Sequence, residues 1–267
     1  MTSPPRRVTG RAPVPLVVFG GLGALLFIVP LVGLLGRTPW SELTELLSSD
    51  TVLDALRISL VSSVAAAALS VVFGVPLAWL LSRGSFPGRG LLRAIVTLPM
   101  VLPPVVGGAA LLFALGRRGL VGEPLYDATG LVLPFSIWGV ILANTFVAMP
   151  FLVISVEAAL DGIDRRYEQA ASTLGASRSH VFRHVTIPMI GPALRAGAIL
   201  AWARALGEFG ATVTFAGNLQ GRTQSLPLAV FVTLESDRDA AVAISLVLVV
   251  LALMVLLVLR DRWWSRP

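Results

Sequence analysis

Charged positions are sparse along this chain, and they divide it into long apolar stretches. Five runs contain no Asp, Glu, Arg or Lys: residues 12–36, 58–82, 94–116, 128–156 and 240–259. A sixth stretch, roughly 189–216, is apolar but interrupted by Arg204 and Glu208, with Arg195 near its start. About 20 mostly apolar residues form a helix long enough to cross roughly 30 Å of hydrocarbon. The pattern therefore predicts six transmembrane helices. No run alternates with the period of two that a barrel wall needs, and a backbone in lipid has to satisfy its own hydrogen bonds. The fold class predicted is all-α, a polytopic membrane protein. The first run follows Arg6, Arg7 and Arg11 but is longer than a signal-peptide core, and no small-residue cleavage site follows it. It reads as an uncleaved span. Residues 1–11 are then a cytoplasmic tail and 12–267 a single transmembrane domain.

Composition agrees. Of 267 residues, 55% are hydrophobic and 13% charged, with a mean hydropathy of +0.83. A soluble domain is nearer a quarter charged, so disorder is excluded and a soluble enzyme disfavoured. Cysteine is absent, which removes disulfides, thiol catalysis and Cys-ligated metals. His180 and His184 lie four apart with no third ligand set near them, so no metal site is expected and both read as surface residues. The pI near 11.2 would point to nucleic acid in a soluble protein. Here the arginines flank apolar runs, so the membrane accounts for them and no nucleic-acid partner is expected.

Arginine asymmetry orients the spans. The side holding both termini carries 14 of the 21 Arg residues and the other side five, with Arg57 and Arg204 within or at the edge of spans. Both termini are predicted to be cytoplasmic in a multi-pass membrane protein, with Trp263 and Trp264 as interfacial anchors after the last span.

The longest cytoplasmic stretch, about 157–188, is too polar to span. Its spacing predicts two short helices joined at Gly175, the first with Ile163, Tyr167, Ala170, Ala171 and Leu174 on one face. The second has Val181, Phe182 and Val185, and Pro188 marks entry into the next span. A plain interfacial helix on anionic lipid would fit this composition. The spacing is more specific. Gln169-Ala170-Ala171, three residues, Gly175, nine residues, then Val185-Thr186-Ile187-Pro188 resembles the EAA loop of bacterial ABC importer membrane subunits. The departures are Gln for Glu, Val for Ile and Ile for Leu. Glu168 stands one position earlier, whereas Glu157-Ala158-Ala159 has Gly162 too close to fit.

Three further stretches resemble the molybdate permease family: Ala78–Gly88, Leu98–Gly107 and Ala205–Asn218, the last reading ALGEFGATVTFAGN. Thr223–Ala229 continues the match, and Phe231 stands where the family often has Tyr. Sulfate and thiosulfate permeases share the GEFG core but usually diverge after it, where this chain keeps Ala-Thr-Val-Thr-Phe. The resemblance implies a type I ABC importer permease translocating molybdate, with tungstate or sulfate/thiosulfate as the alternatives. It implies a homodimer, two copies of a cytoplasmic ATPase that uses ATP and Mg, and an extracytoplasmic molybdate-binding protein. No cofactor is expected on this chain, which carries no phosphate-binding Walker A motif. It further implies that Glu168, Gln169, Ala170, Ala171, Gly175, Ala176, Ser177 and Pro188 form the region that couples to the ATPase.

The remaining candidates concern the pathway. Pro99, Pro103 and Pro104 remove backbone donors from the third run, so that helix is expected to be broken or kinked. Irregular backbone at membrane depth persists only where it is buried in protein or lines a cavity. Arg204 and Glu208 are four apart and can pair on one face. An ion pair that fixes packing or a gate fits them better than direct contact with an oxyanion, which a carboxylate would repel. Thr212, Thr214 and Asn218 offer weak donors that suit a passage rather than a tight site, although small residues also serve helix packing. Two other classes fit the sequence less well. An intramembrane enzyme lacks any HExxH, GxSxG or paired-carboxylate set. An ATPase-independent secondary transporter would give the EAA-like loop no purpose, and Glu208 alone is a thin proton relay.

Overall fold

The computed structural model describes residues 13–260, and every regular element among them is helical. The expected tail at 1–11 and the Trp263–Trp264 pair lie outside the described residues. Five helices are long and apolar enough to cross a membrane, and a bent pair makes a sixth if counted as one span.

Helix α1 (Val14–Arg37) opens with proline in its first turn and buries none of its residues, so its apolar surface is left for lipid or another chain. After the short α2 (Leu43–Leu47) comes α3 (Asp50–Arg83), at 34 residues about 51 Å long. One face of α3 carries Ser59, Ser62, Ala66, Ser70, Gly74 and Ala78, all buried. Small residues at this spacing let another backbone approach closely. That neighbour is α7 (Ile137–Gly162): a Cβ on Gly74 would stand 2.8 Å from Leu152 Cδ2.

The third apolar run is where the chain breaks. Helix α4 (Arg89–Thr97) passes through a 3₁₀ turn, Leu98–Met100, and α5 (Pro104–Leu115) then leaves at a bend of 118°. Pro103 has extended geometry, with ψ 130°. Pro104 disfavours helical geometry in the residue before it. Proline spacing thus predicts the break, and the structure supplies its size. Helix α6 (Gly122–Thr129) and an irregular stretch follow, so α7 starts nine residues later than its apolar run. Ser136 caps α7, its Oγ accepting from Gly139 N at 3.2 Å.

Past α7, α8 (Arg166–Thr173) stands alone, whereas α9 (Arg178–Val181) runs through a π-helical segment, Phe182–Thr186, into α10 (Ile187–Leu206). The second loop helix is therefore the start of the fifth span, which is continuous from Arg178 to Leu206. Pro188 sits inside that continuous helix rather than at an entry point. The wider π turn comes just before the position where proline removes a donor and crowds the carbonyl four residues back.

The stretch 189–216 is also not a single helix. Helix α10 ends at Leu206, and α11 (Gly210–Phe215) starts afresh after Gly207. Helix α12 (Leu226–Ser236), which the charge-free runs do not reveal, packs against α13 (Arg238–Arg260). The main core lies where α3, α7 and α10 meet, built on Leu81, Leu152, Val156, Leu160, Ile190 and Ala201.

Candidate functional site

Helix α8 contains the Gln169-Ala170-Ala171 motif, and its end explains the motif's spacing. Gly175 adopts φ +85°, a geometry that costs glycine little and side-chain-bearing residues more. Its N–H donates to Ser172 O at 3.0 Å, and the Ala176 N–H donates to Ala171 O at 3.1 Å. This is a Schellman cap with glycine at its left-handed position. Two residues on, Ser177 Oγ accepts from His180 N at 3.3 Å and caps α9. Gly175-Ala176-Ser177 is thus the tight corner between the two helices.

The two sides of α8 are presented differently. Tyr167 and Leu174 are exposed, Leu174 at 87%. Of the apolar face expected there, Ile163 packs against the core and Ala171 is half-buried, whereas Tyr167, Ala170 and Leu174 are uncovered; in the second helix Val181 is buried and Phe182 and Val185 are partly buried. Gln169 and Ala170 are exposed and Ala171 and Ala176 half-buried. Glu168 turns inward. Its Oε1 accepts from Thr186 Oγ1 at 2.9 Å, and its Oε2 lies 3.5 Å from Arg83 Nε at the end of α3. One carboxylate therefore ties the loop to two different spans. Pro188 is exposed on the same continuous helix as Thr186, and His180 and His184 are stacked on the surface with ring centroids 4.2 Å apart.

The second cluster lies at the break between α10 and α11. Arg204 Nη1 lies 2.6 Å from Glu208 Oε2, and the Glu208 side chain is 1% exposed. Its Oε1 also accepts from Ala211 N at 2.8 Å, so the carboxylate neutralises Arg204 and caps α11. Thr212 is fully buried, and its hydroxyl donates to Asn144 Oδ1 at 3.2 Å. Asn144 Nδ2 donates to Ser62 Oγ at 3.2 Å, linking α11, α7 and α3. Thr214 is half-buried and donates to Gly210 O at 2.8 Å within its own helix. Asn218 is partly buried, and its Oδ1 has no hydrogen-bond partner.

Pro103 and Pro104 are exposed at the bend, and α5 presses on α11. A Cβ on Gly210 would stand 2.8 Å from Pro104 Cβ. The structure thus brings Pro104, Glu208 and Thr212 into one packed unit, with Thr212 inside it rather than on an open wall.

Several contributors were not singled out from sequence. Arg83 and Thr186 emerge only through Glu168. Asn144 left a signal, as the sole amide in the run 128–156. Glu157, dismissed as part of a second EAA-like triplet, is buried and bonds Arg93 of α4, whose Nε donates to Oε1 at 3.0 Å. Asp161 accepts from Ser82 Oγ at 2.5 Å. These contacts fasten the helix preceding α8 to the bent pair and to α3.

Comparison with known proteins places this geometry. Residues 70–265 match the family described as "Binding-protein-dependent transport system inner membrane component". The chain is 45% identical over 235 residues to a protein of Mycobacterium tuberculosis named molybdenum transport system permease protein ModB, covering 88% of this chain and 89% of that one. It is 41% identical to the Escherichia coli protein of the same name, covering 79% and 93%. The Escherichia coli sulfate transport system permease protein CysT is 37% identical, covering 83% and 81%. A chain of a bacterial alginate ABC transporter, crystallised with an alginate-bound periplasmic protein, superposes with a TM-score of 0.68 at 20% identity, covering 91% of both chains. That likeness shows the fold, an ABC importer permease fold of membrane-spanning helices. This chain belongs to the family of binding-protein-dependent transport system inner membrane components.

Proposed function

We propose that this chain is the membrane-spanning subunit of an ATP-driven importer that carries molybdate inward. Two copies surround a central path, and each docks one copy of a separate ATPase through α8 and the Gly175–Ser177 corner. A binding protein delivers the oxyanion to the opposite face. ATP and Mg belong to the ATPase, and both termini of this chain face the cytoplasm.

The observation that carries the reading is the form of α8. It is a short, glycine-capped helix with Tyr167 and Leu174 uncovered and one inward carboxylate, Glu168, tied to α3 and to the fifth span. An element gripped by a partner and tied to two spans can pass the partner's movement into the membrane. The substrate rests on kinship: the molybdenum relatives are 41–45% identical and the sulfate relative 37%. A tetrahedral dianion needs donors that release it again. Thr214 and the bend at Pro103–Pro104 lie where α5 meets α11; these and Asn218, just past α11, are proposed to border the path. Arg204–Glu208 and Thr212 hold the gate's packing.

The test is ATPase activity in proteoliposomes holding this chain, its cognate ATPase and the binding protein loaded in turn with molybdate, tungstate or sulfate. Stimulation by molybdate supports the reading. Stimulation by sulfate alone keeps the importer and overturns the substrate. Failure of the ATPase to associate with this chain overturns the docking role of α8.

A further inference from the structure

Beneath α8 lies a cleft of about 620 Å³ between the loop, the end of α3 and the start of the fifth span. Three guanidinium groups line it: Arg83 of α3, Arg165 before α8 and Arg178 at the start of α9. Arg165 and Arg178 are exposed and make no ion pair among the described residues. The Arg83 side chain is 9% exposed, and its Nη2 is buried without a hydrogen-bond partner. Leaving a charged donor buried and unpaired is costly. Glu168 also lines the cleft, but Thr186 and Arg83 engage both its oxygens. With one carboxylate against three guanidiniums, the lining remains net positive.

We propose that this cleft binds a phosphate-type oxyanion, and that its source is the headgroup of an anionic phospholipid. Guanidinium groups match phosphate oxygens through paired donors. The cleft is open to solvent and admits a headgroup or a free ion, and its wall favours the headgroup. That wall is aromatic: Trp79 and Phe182 meet edge to face at 6.4 Å, with Trp79 39% exposed in the last turns of α3. Indole at a helix end beside arginine is the lining expected at a membrane–water interface, and basic pockets between spans hold anionic headgroups. The lipid would then lie against the residues that hold α8, filling the space under the loop. This inference does not depend on which anion the protein transports.

The test uses the full chain purified into nanodiscs of phosphatidylcholine with a minor fraction of phosphatidylglycerol. Co-purifying lipid is counted by native mass spectrometry after release from the disc. Wild-type protein retains phosphatidylglycerol, and the exposed-site variant R165Q/R178Q retains about thirtyfold less, as loss of two near-surface charges predicts. R183Q removes a neighbouring exposed charge that does not line the cleft and leaves retention unchanged. Circular dichroism melting confirms that the variants stay folded. In a second arm, inorganic phosphate or molybdate is titrated into protein in phosphatidylcholine alone. Saturable binding there, lost in R165Q/R178Q, with no phosphatidylglycerol retained, would keep the oxyanion site and overturn the lipid source. Equal loss in R183Q, or no retention and no titration, would overturn the site.

Discussion

The bend at Pro103–Pro104 matters only if α5 is held against α11, and Gly108 tests that contact. A Cβ built on Gly108 stands 2.7 Å from Thr214 Cβ, 2.8 Å from Ala211 O and 3.0 Å from Ala211 Cα. None of these atoms can move by a side-chain rotation, since two are backbone and the third is a Cβ. Ordinary contact begins at 3.4 Å, so Gly108→Ala requires α5 and α11 to part by about 0.7 Å. Overpacking of this kind costs about 1–3 kcal/mol. For a chain of this size that corresponds to roughly 2–4 °C of melting temperature per kcal/mol on the scale of soluble domains. Gly23 is the control: it lies within α1 between Leu22 and Ala24, and a Cβ there meets nothing within 4 Å. Gly23→Ala should be neutral or stabilise by about 0.5–1 kcal/mol. The assay is thermal unfolding of purified protein in one detergent, followed by tryptophan fluorescence. If Gly108→Ala melts at or above the wild-type temperature while Gly23→Ala behaves as expected, α5 does not pack on α11 as described and the bent arrangement is wrong.

Other consequences can be measured separately. Glu168→Gln keeps an acceptor for Thr186 but leaves Arg83 without its counter-charge, so about 1–3 kcal/mol should be lost; hydrogen exchange over residues 166–186 should quicken, and unchanged protection would remove the tie from the account. Asn144→Leu leaves the buried Thr212 hydroxyl without its acceptor and should cost about 1–3 kcal/mol, read as a lower melting temperature. Gly175→Val puts a β-branched residue at φ +85°, a rare and strained geometry. Because nothing lies within 4 Å of that position, the chain should still fold while substrate-stimulated ATPase activity falls; full stimulation would separate this corner from coupling.

The parts of the fold legible in the sequence were those written in charge and proline. Charge-free runs mark the spans because ionised groups are costly in hydrocarbon, and Pro103–Pro104 marks the break because the second proline holds the first out of helical geometry. Gly175 was legible for the same kind of reason, since a glycine just past a predicted helix is where a left-handed cap ends it. The absence of charge does not, however, say whether an apolar stretch is straight. Residues 189–216 look continuous, yet Gly207 and the capping carboxylate of Glu208 end one helix and begin another. The start of the fifth span was hidden for the opposite reason. Arg178, His180 and Arg183 read as loop, but they lie on exposed turns of a helix that extends beyond its apolar part. Pairings distant in sequence, such as Arg83 with Glu168 or Arg93 with Glu157, have no periodic signature. Each partner alone reads as one more interfacial charge.

Uptake is the most direct test of the central claim. Sealed proteoliposomes containing this chain and its ATPase, with loaded binding protein on the delivery side and ATP on the other, are assayed for internal molybdenum by mass spectrometry. The account predicts accumulation that requires ATP, the ATPase and the binding protein together. Accumulation by this chain alone, without ATPase or ATP, would contradict it and make the protein an ATPase-independent transporter.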